Sequence, residues 1–339
     1  MIREGFYGLV LLSITITADA LPTAKLTLKV IDEKGAPLEG AKAGIALYVP
    51  LGVGEGAGTK STSIRGLTDK DGIFTGTGST QNRLGYSVRK EGYYLSRGRY
   101  IGFKSVTGII GFRRWQPWNP VVEVVLKKKI NPIPLYGYNM QRLSTRNWFE
   151  LPVLNHFVGY DLVARDWVVP HGQGTHRDFL FKLEKHRIVD KGDFYVTLTL
   201  KFSKEGDGIQ SHFSSPNSGS QFRLPHNAPT MGYESELVIN RKRSKDDEIL
   251  KLIDVSNRDD QNYFFRVRTE KDEKGNIVRA LYGKIHGGFD LARFVKKGAT
   301  GRIRFSYYLN PTPNDTNLEF DTRKNLFTDL SRQEEVSLP

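Results

Sequence analysis

Along residues 194–202, apolar and polar side chains alternate without a fault: Phe194, Val196, Leu198, Leu200 and Phe202 against Tyr195, Thr197, Thr199 and Lys201. A period of two fits an extended strand with one face on a core, because successive side chains of a strand leave on opposite sides. The same pattern recurs through the chain. Leu26, Leu28 and Val30 share a face, as do Ala43, Ile45, Leu47 and Val49. Tyr263, Phe265 and Val267 alternate with Arg266 and Arg268, and a turn over 271–276 leads into a second strand through Ile277, Leu281 and Ile285, which together predict a hairpin. Ile303, Phe305 and Tyr307 alternate with Arg302, Arg304 and Ser306, predicting a half-buried strand with a basic outer face. Residues 236–239 and 248–255 read as further strands, the latter with a short helix as the alternative. One helix is expected, over 291–297, with Asp290 as its cap, lysines in its last turn and Gly298 closing it. The expected fold is therefore all-β: two antiparallel β-sandwich domains, the C-terminal one larger and carrying one short helix.

Within the first third the strands are punctuated in a particular order. Val30-Ile31-Asp32-Glu33-Lys34-Gly35-Ala36-Pro37-Leu38-Glu39-Gly40-Ala41 is followed by Thr68-Asp69-Lys70-Asp71-Gly72-Ile73-Phe74, and then by Val88-Arg89-Lys90-Glu91-Gly92-Tyr93. This order resembles the carboxypeptidase regulatory-like, transthyretin-like immunoglobulin domain of exported bacterial proteins. The resemblance covers residues 25–128 and implies a fold, not a reaction. Asp69 and Asp71 have the look of a calcium loop, but no glutamate follows at the twelfth position, and turn chemistry accounts for both.

Residues 1–20 resemble a secretory signal: Arg3, an apolar stretch over 5–16, and Ala18-Asp19-Ala20 at the cleavage position. That stretch is shorter than the roughly 20 residues a spanning helix requires. The expected organisation is a signal at 1–20, an immunoglobulin-like domain at 21–129, a proline-held, strand-free linker at 130–135, a second β-rich domain at 136–325 and a tail at 326–339. The absence of cysteine rules out disulfides and thiolate chemistry and fits a bacterial periplasm or cell exterior. A net charge of +13 in such a place points away from nucleic acid and towards anionic glycans, lipid headgroups or acidic wall polymers.

Two regions carry candidate chemistry. Residues 159–178 bring together Tyr160, Asp161, Asp166, Trp167, His171, His176 and Asp178 with two glycines and a proline. His171, His176 and Asp178 are the candidate catalytic or metal-binding residues, although the expectation is that they do not converge, the loop instead folding back to bond its own backbone. Arg113, Arg114, Trp115 and Trp118 form the second region, where flat rings beside guanidinium groups would suit an acidic sugar, and Arg302 and Arg304 would add a basic strand face. The glycine-rich run at 52–57 fits a dinucleotide pattern loosely, but Pro50 precedes it and no helix follows, so a flexible connection is expected. These readings lead to an exported, non-catalytic binding or accessory protein for an anionic polysaccharide or other cell-envelope component, with no cofactor and a protein partner as a further possibility. A secreted hydrolase working at 171–178 and a structural module of an envelope assembly are the alternatives.

Overall fold

The structure is a computed structural model and describes residues 21–52, 58–109, 112–140, 149–190, 193–214, 219–243, 253–254, 260–291 and 301–339. The signal-like segment 1–20 lies outside these residues, as does most of the glycine-rich run. Strands and turns make up the described chain, with no helix among the described residues and hence none long and apolar enough to cross a membrane. Of the expected helix only the cap Asp290 and the first residue, Leu291, are described, and Asp290–Leu291 forms a short strand. The chain divides into two compact units: one of Met1–Ile31, Ala36–Val88 and Gly98–Val124, the other of Asp32–Gly35, Arg89–Arg97 and Val125–Pro339.

In the first unit, strand Thr23–Asp32 pairs antiparallel with Ile73–Ser79 and also with Val121–Leu126, and a second sheet is made by Leu84–Arg89, Lys42–Pro50 and Thr59–Leu67. Leu26, Leu28 and Val30 from one sheet and Ala43, Ile45 and Leu47 from the other are all buried, as their alternation requires. The turn after Thr68 needs no ion. Asp69 Oδ1 accepts the backbone N–H of Asp71 at 3.0 Å and of Ile73 at 2.8 Å, so its carboxylate is spent on the turn.

The second unit is built on two six-stranded sheets. One runs, in spatial order, through Gly208–Phe213, Gln261–Lys271, Ile277–Ile285, Ser306–Leu309, Ile133–Asn139 and Phe320–Asn325. The other contains Val158–Asp161, Phe179–Asp190, Asp193–Lys201 and Glu236–Arg243. Phe179, Phe181, Val196, Leu198 and Leu200 of the second sheet share one core with Tyr263, Phe265, Val267 and Tyr307 of the first, with Phe179 and Phe265 crossing edge to face at 5.1 Å. The Gln261–Lys271 sheet is covered on its other side too, where Phe264, Ala280 and Tyr282 pack with Leu224 and Leu318. For that reason Arg266, expected on an open face, is buried, its Nε donating to Gly206 O and its Nη1 to Thr230 O.

Four sequence expectations are revised. The residues before 133 form a connector, but Ile133 and Pro134 belong to a central strand; Pro134 sits at the register break between Ile133 and Leu135, where the ladder needs no donor. That strand runs parallel to Phe320–Asn325, so the sheet is mixed and not purely antiparallel. The run 302–307 is two strands, Arg302–Arg304 and Ser306–Leu309, pairing in different sheets on either side of buried Phe305. Residues 326–339 are no loose tail: Asn139 N–H donates to Glu334 O at 2.8 Å, Tyr308 Oη to Leu338 O at 2.9 Å, and Val336 is buried against Leu135 and Phe320.

Candidate functional site

The loop 159–178 closes on two buried carboxylates. Val158–Asp161 and Asp166–Trp167 pair as a short hairpin, after which the chain folds back across it. Asp161 Oδ1 accepts from the backbone N–H of Val163 and Ala164, and Oδ2 from those of Thr175 and His176, all within 2.9–3.1 Å. Burial alone would raise the Asp161 carboxyl, but the N–H donors from Ala164, His176, Thr175 and Val163 outweigh it and bring it down to about 2. Asp166 serves the same purpose one turn away, its Oδ2 accepting Gln173 N–H at 2.8 Å. Glycine is required where the strands meet: a Cβ on Gly172 would lie 2.4 Å from Trp167 O, and one on Gly174 would lie 2.8 Å from Asp161 Cβ.

Asp178 is joined to a residue far away in sequence. Arg268 donates Nε to Asp178 Oδ1 and Nη2 to Asp178 Oδ2, each at 2.8 Å, and Nη2 also reaches Asp161 Oδ1 at 3.2 Å. Leu162 N–H takes the remaining side of Asp178 Oδ2. Burial would lower the Arg268 guanidinium, but its bonds to Asp178 and the charge of Asp161 raise it, so it stays cationic. Arg268 has φ +58° at a break in the strand register, a conformation that tilts the side chain out of the ladder towards the two carboxylates.

Beside this network lies a cleft of about 540 Å³, within the range of small-molecule sites. It is lined by Tyr136, Thr175, His176, Arg177, Asp178, Ser203, Lys204, Asp207, Arg268, Glu270 and Arg279, with Val163, Leu281, Leu309 and Pro311 as its apolar part. Its carboxylates are largely accounted for. Asp178 is held by Arg268, Glu270 lies 3.6 Å from Arg279, and Asp207 is buried and accepts Thr269 N–H at 2.8 Å. Burial pushes the Asp207 carboxyl up, against its bonds from Thr269 and Arg268 N–H and the charge of Lys204. Arg177 and Lys204, both exposed, also line the cleft.

Of the candidate catalytic residues, His176 and Asp178 both line this cleft, but they do not act as a pair. Asp178 has both oxygens taken. His176 Nδ1 lies 3.0 Å from Thr175 Oγ1 and 3.4 Å from Asp161 Oδ2, so hydroxyl and carboxylate share one ring nitrogen, whereas a proton relay needs them on opposite nitrogens. His171 sits on the exposed part of the loop. Among the described residues no group of three or more His, Asp or Glu side chains is placed to hold a metal ion.

The other candidates have different surroundings. Arg302 donates Nε to Glu150 Oε1 at 2.7 Å and Arg304 donates Nε to Asp290 Oδ2 at 2.8 Å, so the expected basic strand face is charge-compensated. In the first unit, Trp115 is half-buried, donates Nε1–H to Thr80 O at 2.9 Å and packs at a tilt against Phe103. Arg114 lies over the Trp118 ring at 4.9 Å, and Arg113 O accepts Thr23 N–H. Both tryptophans are half-buried. Sequence reasoning did not find Arg177, Lys204, Asp207 or Arg268; an arginine within an alternating strand gives no local sign that it turns inward.

No protein-family model matches this chain, and no curated protein does. Similarity to solved structures is slight. A 3-chlorocatechol 1,2-dioxygenase from Rhodococcus opacus 1CP is 13% identical over 33% of this chain and 62% of its own, with a TM-score of 0.25, so less than two thirds of that protein is spanned. An Asp-to-Asn variant of the shaft pilin SpaA from Lactobacillus rhamnosus GG is 12% identical over 82% of this chain and 94% of its own, with a TM-score of 0.21. A protein named for carbohydrate binding from Bacteroides uniformis ATCC 8492 is 13% identical over 87% of this chain and 99% of its own, with a TM-score of 0.20. The function of the chain therefore has to be argued from its own site.

Proposed function

We propose that this is an exported, non-catalytic binding protein whose cleft holds an acidic saccharide of the cell envelope. The observation that carries the reading is the charge arrangement of the cleft: Asp178 is paired with Arg268, Glu270 with Arg279, and buried Asp207 accepts Thr269 N–H, while the exposed cations Arg177 and Lys204 line it beside Tyr136, Thr175 and Ser203, Lys204 also acting on Asp207. Guanidinium and ammonium groups suit a sugar carboxylate, hydroxyls and backbone suit its ring oxygens, and the Tyr136 ring offers a flat apolar face. A rigid, already bonded lining suits binding, because little ordering is left to be done when the ligand arrives.

Titration calorimetry with galacturonate oligosaccharides and their neutral galactose counterparts tests this. The acidic oligomers should bind, the neutral ones should bind more weakly, and Arg177→Ala with Lys204→Ala should weaken the acidic ligand by about tenfold or more, the worth of one good charged contact. Equal affinity of the double variant, or cleavage of the oligomer by the wild-type chain, would reject the reading.

A further inference from the structure

The second unit holds another pocket, which shares no residue with the cleft and differs from it in charge. Arg97, Gly219, Ser220, Gln221, Arg223 and Leu338 line it, and its volume of about 10 Å³ admits one water-sized atom. The cleft has Asp178, Asp207 and Glu270 in its lining, whereas this pocket has no carboxylate. Strand pairing builds it: Gly219 lies opposite Arg97 and Ser220 opposite Ser96, and Gln221 N–H donates to Leu95 O at 2.8 Å. Next in the chain, Phe222 is fully buried and stacks on Tyr94 at 5.0 Å, which pins the segment that carries Arg223. Space is open at Gly219, where φ is +94° and an added Cβ would meet nothing within 4 Å.

The charge at this pocket is one-sided. Exposed Arg97 and half-buried Arg223 each lack a carboxylate partner among the described residues. Burial lowers the Arg223 guanidinium, Tyr308 opposes this, and the charge of Arg97 adds to it, so the two cations repel each other. Lys127 Nζ brings a further cation to the same segment, donating to Arg223 O at 3.2 Å and to Leu224 O at 3.1 Å. Like charges held together in a partly buried place raise the free energy of the fold, and an anion between them removes that cost. The donors also select the anion. Each guanidinium offers paired N–H groups, the Gln221 amide stands beside them, and the Ser220 hydroxyl, whose oxygen already accepts Phe222 N–H at 3.1 Å, keeps its proton to donate. A carboxylate has two oxygens and a single charge for such a set, whereas a sulfate or phosphate group has more acceptor oxygens, and phosphate carries close to two charges. We infer that Arg97 and Arg223, with Ser220 and Gln221, bind the oxyanion of a sulfate or phosphate group, one oxygen of which enters the pocket.

The oxyanion pocket and the saccharide cleft have no residue in common, so either can fail without the other. Thermal unfolding and titration calorimetry of the full chain with inorganic phosphate and sulfate, against acetate and chloride at matched ionic strength, provide the test. Phosphate or sulfate should raise the melting temperature saturably, as a ligand of the folded state does, and acetate and chloride should do much less. Arg97→Gln should weaken the affinity by about tenfold or more, the worth of one charged contact, and Arg223→Gln should abolish the saturable shift. Arg177→Ala with Lys204→Ala should leave it unchanged. Arg97 is exposed, so its variant keeps the test open even if Arg223→Gln does not fold. Glucose 6-phosphate and glucose 6-sulfate distinguish the two sources of such a group: affinity at least equal to that of the free ion means a sugar ester held by its oxyanion, and lower affinity means the inorganic ion itself. The absence of a saturable shift with every oxyanion, free or esterified, would overturn the assignment. So would acetate or chloride matching them, which means screening only, or Arg97→Gln binding as well as wild type. A shift that survives Arg97→Gln but is lost with Arg177→Ala and Lys204→Ala would put the oxyanion in the cleft and likewise overturn it.

Discussion

Residues 159–178 and 100–118 are the two stretches of this chain richest in side chains suited to chemistry, and they fold in opposite senses. The first turns its carboxylates inward: Asp161 and Asp178 are buried, and each is surrounded by donors from its own loop and by Arg268. The second leaves its apolar groups outside, with Ile109 and Phe112 open to solvent. An unpaired charge is far costlier to bury than an apolar group is to expose. A loop that buries carboxylates must therefore satisfy every oxygen and becomes rigid, whereas a hairpin tip can keep an apolar group in water at a modest cost.

The largest effect should come from the buried network. Arg268→Ala would strand Asp161 and Asp178 without their cation, and unfolding in denaturant should show a loss of about 3–5 kcal/mol. A loss below about 1 kcal/mol would mean that the backbone donors alone hold the loop, and the contrast between the two regions would fail.

Lys284 shows what burial of a cation without such a partner does. Its Nζ is completely buried between the rings of Phe222 and Tyr308, 4.7 Å from each, with no hydrogen-bond partner among the described residues. Burial, helped by the charge of Lys127 and opposed by that of Glu319, lowers its pKa well below the ordinary lysine value. Lys284→Met should stabilise the protein by about 1–4 kcal/mol, the range seen when buried charge gives way to a packed apolar chain. The unfolded chain binds this proton more tightly than the folded one, so wild-type stability should rise with pH up to the unfolded lysine value, and the substitution should flatten that rise. A destabilised methionine variant would show that the two cation–π contacts outweigh desolvation.

Acid should act on the first region and spare the second. Asp161 has its folded pKa lowered from 3.8 to about 2, so its contribution is complete above the higher value and is lost as pH falls between the two. That contribution is about 2 kcal/mol. Thermal melts of wild type and Asp161→Asn from neutral pH down to about 2 should converge as acid removes the difference. Curves that stay parallel would deny Asp161 its role.

The smallest expected effect is at the hairpin. Phe112→Asp should change stability by less than about 0.5 kcal/mol, as for an open surface position. A larger loss would mean that Phe112 is packed in solution and would join the two regions into one kind.

Much of the fold was legible in the sequence because strand alternation is a local property. Val196, Leu198 and Leu200 are buried as read, the 263–285 segment is a hairpin, and the turn after Thr68 is made by Asp69. Polar residues on those strands were harder to place. Arg266 is buried because further chain covers the second face of its sheet, and Thr197, bonded to His186 and Asn240, and Thr199 are buried too, whereas periodicity counts only one face. No family model matches, so the likeness of residues 25–128 to carboxypeptidase regulatory-like domains rests on the motif residues themselves.

The site divides along the same line. Composition alone singled out 159–178, and the glycines and aspartates there explain by themselves why the loop bonds to its own backbone, since every donor and acceptor involved lies within a few turns of chain. That the loop borders a cleft was decided elsewhere. Arg268 is 90 positions from Asp178, and its inward tilt depends on a register break that no residue near it announces. Glu319 is 189 positions from Ile130, yet it accepts the N–H groups of Ile130 and Asn131 and so holds the connector that proline spacing predicted to be free of strands. Local periodicity and turn chemistry fix what short segments do, because their energies are settled between neighbours in sequence. Which charges meet, and which are left facing a ligand, depends on sheet order and register, and those are set by the packing of the whole core.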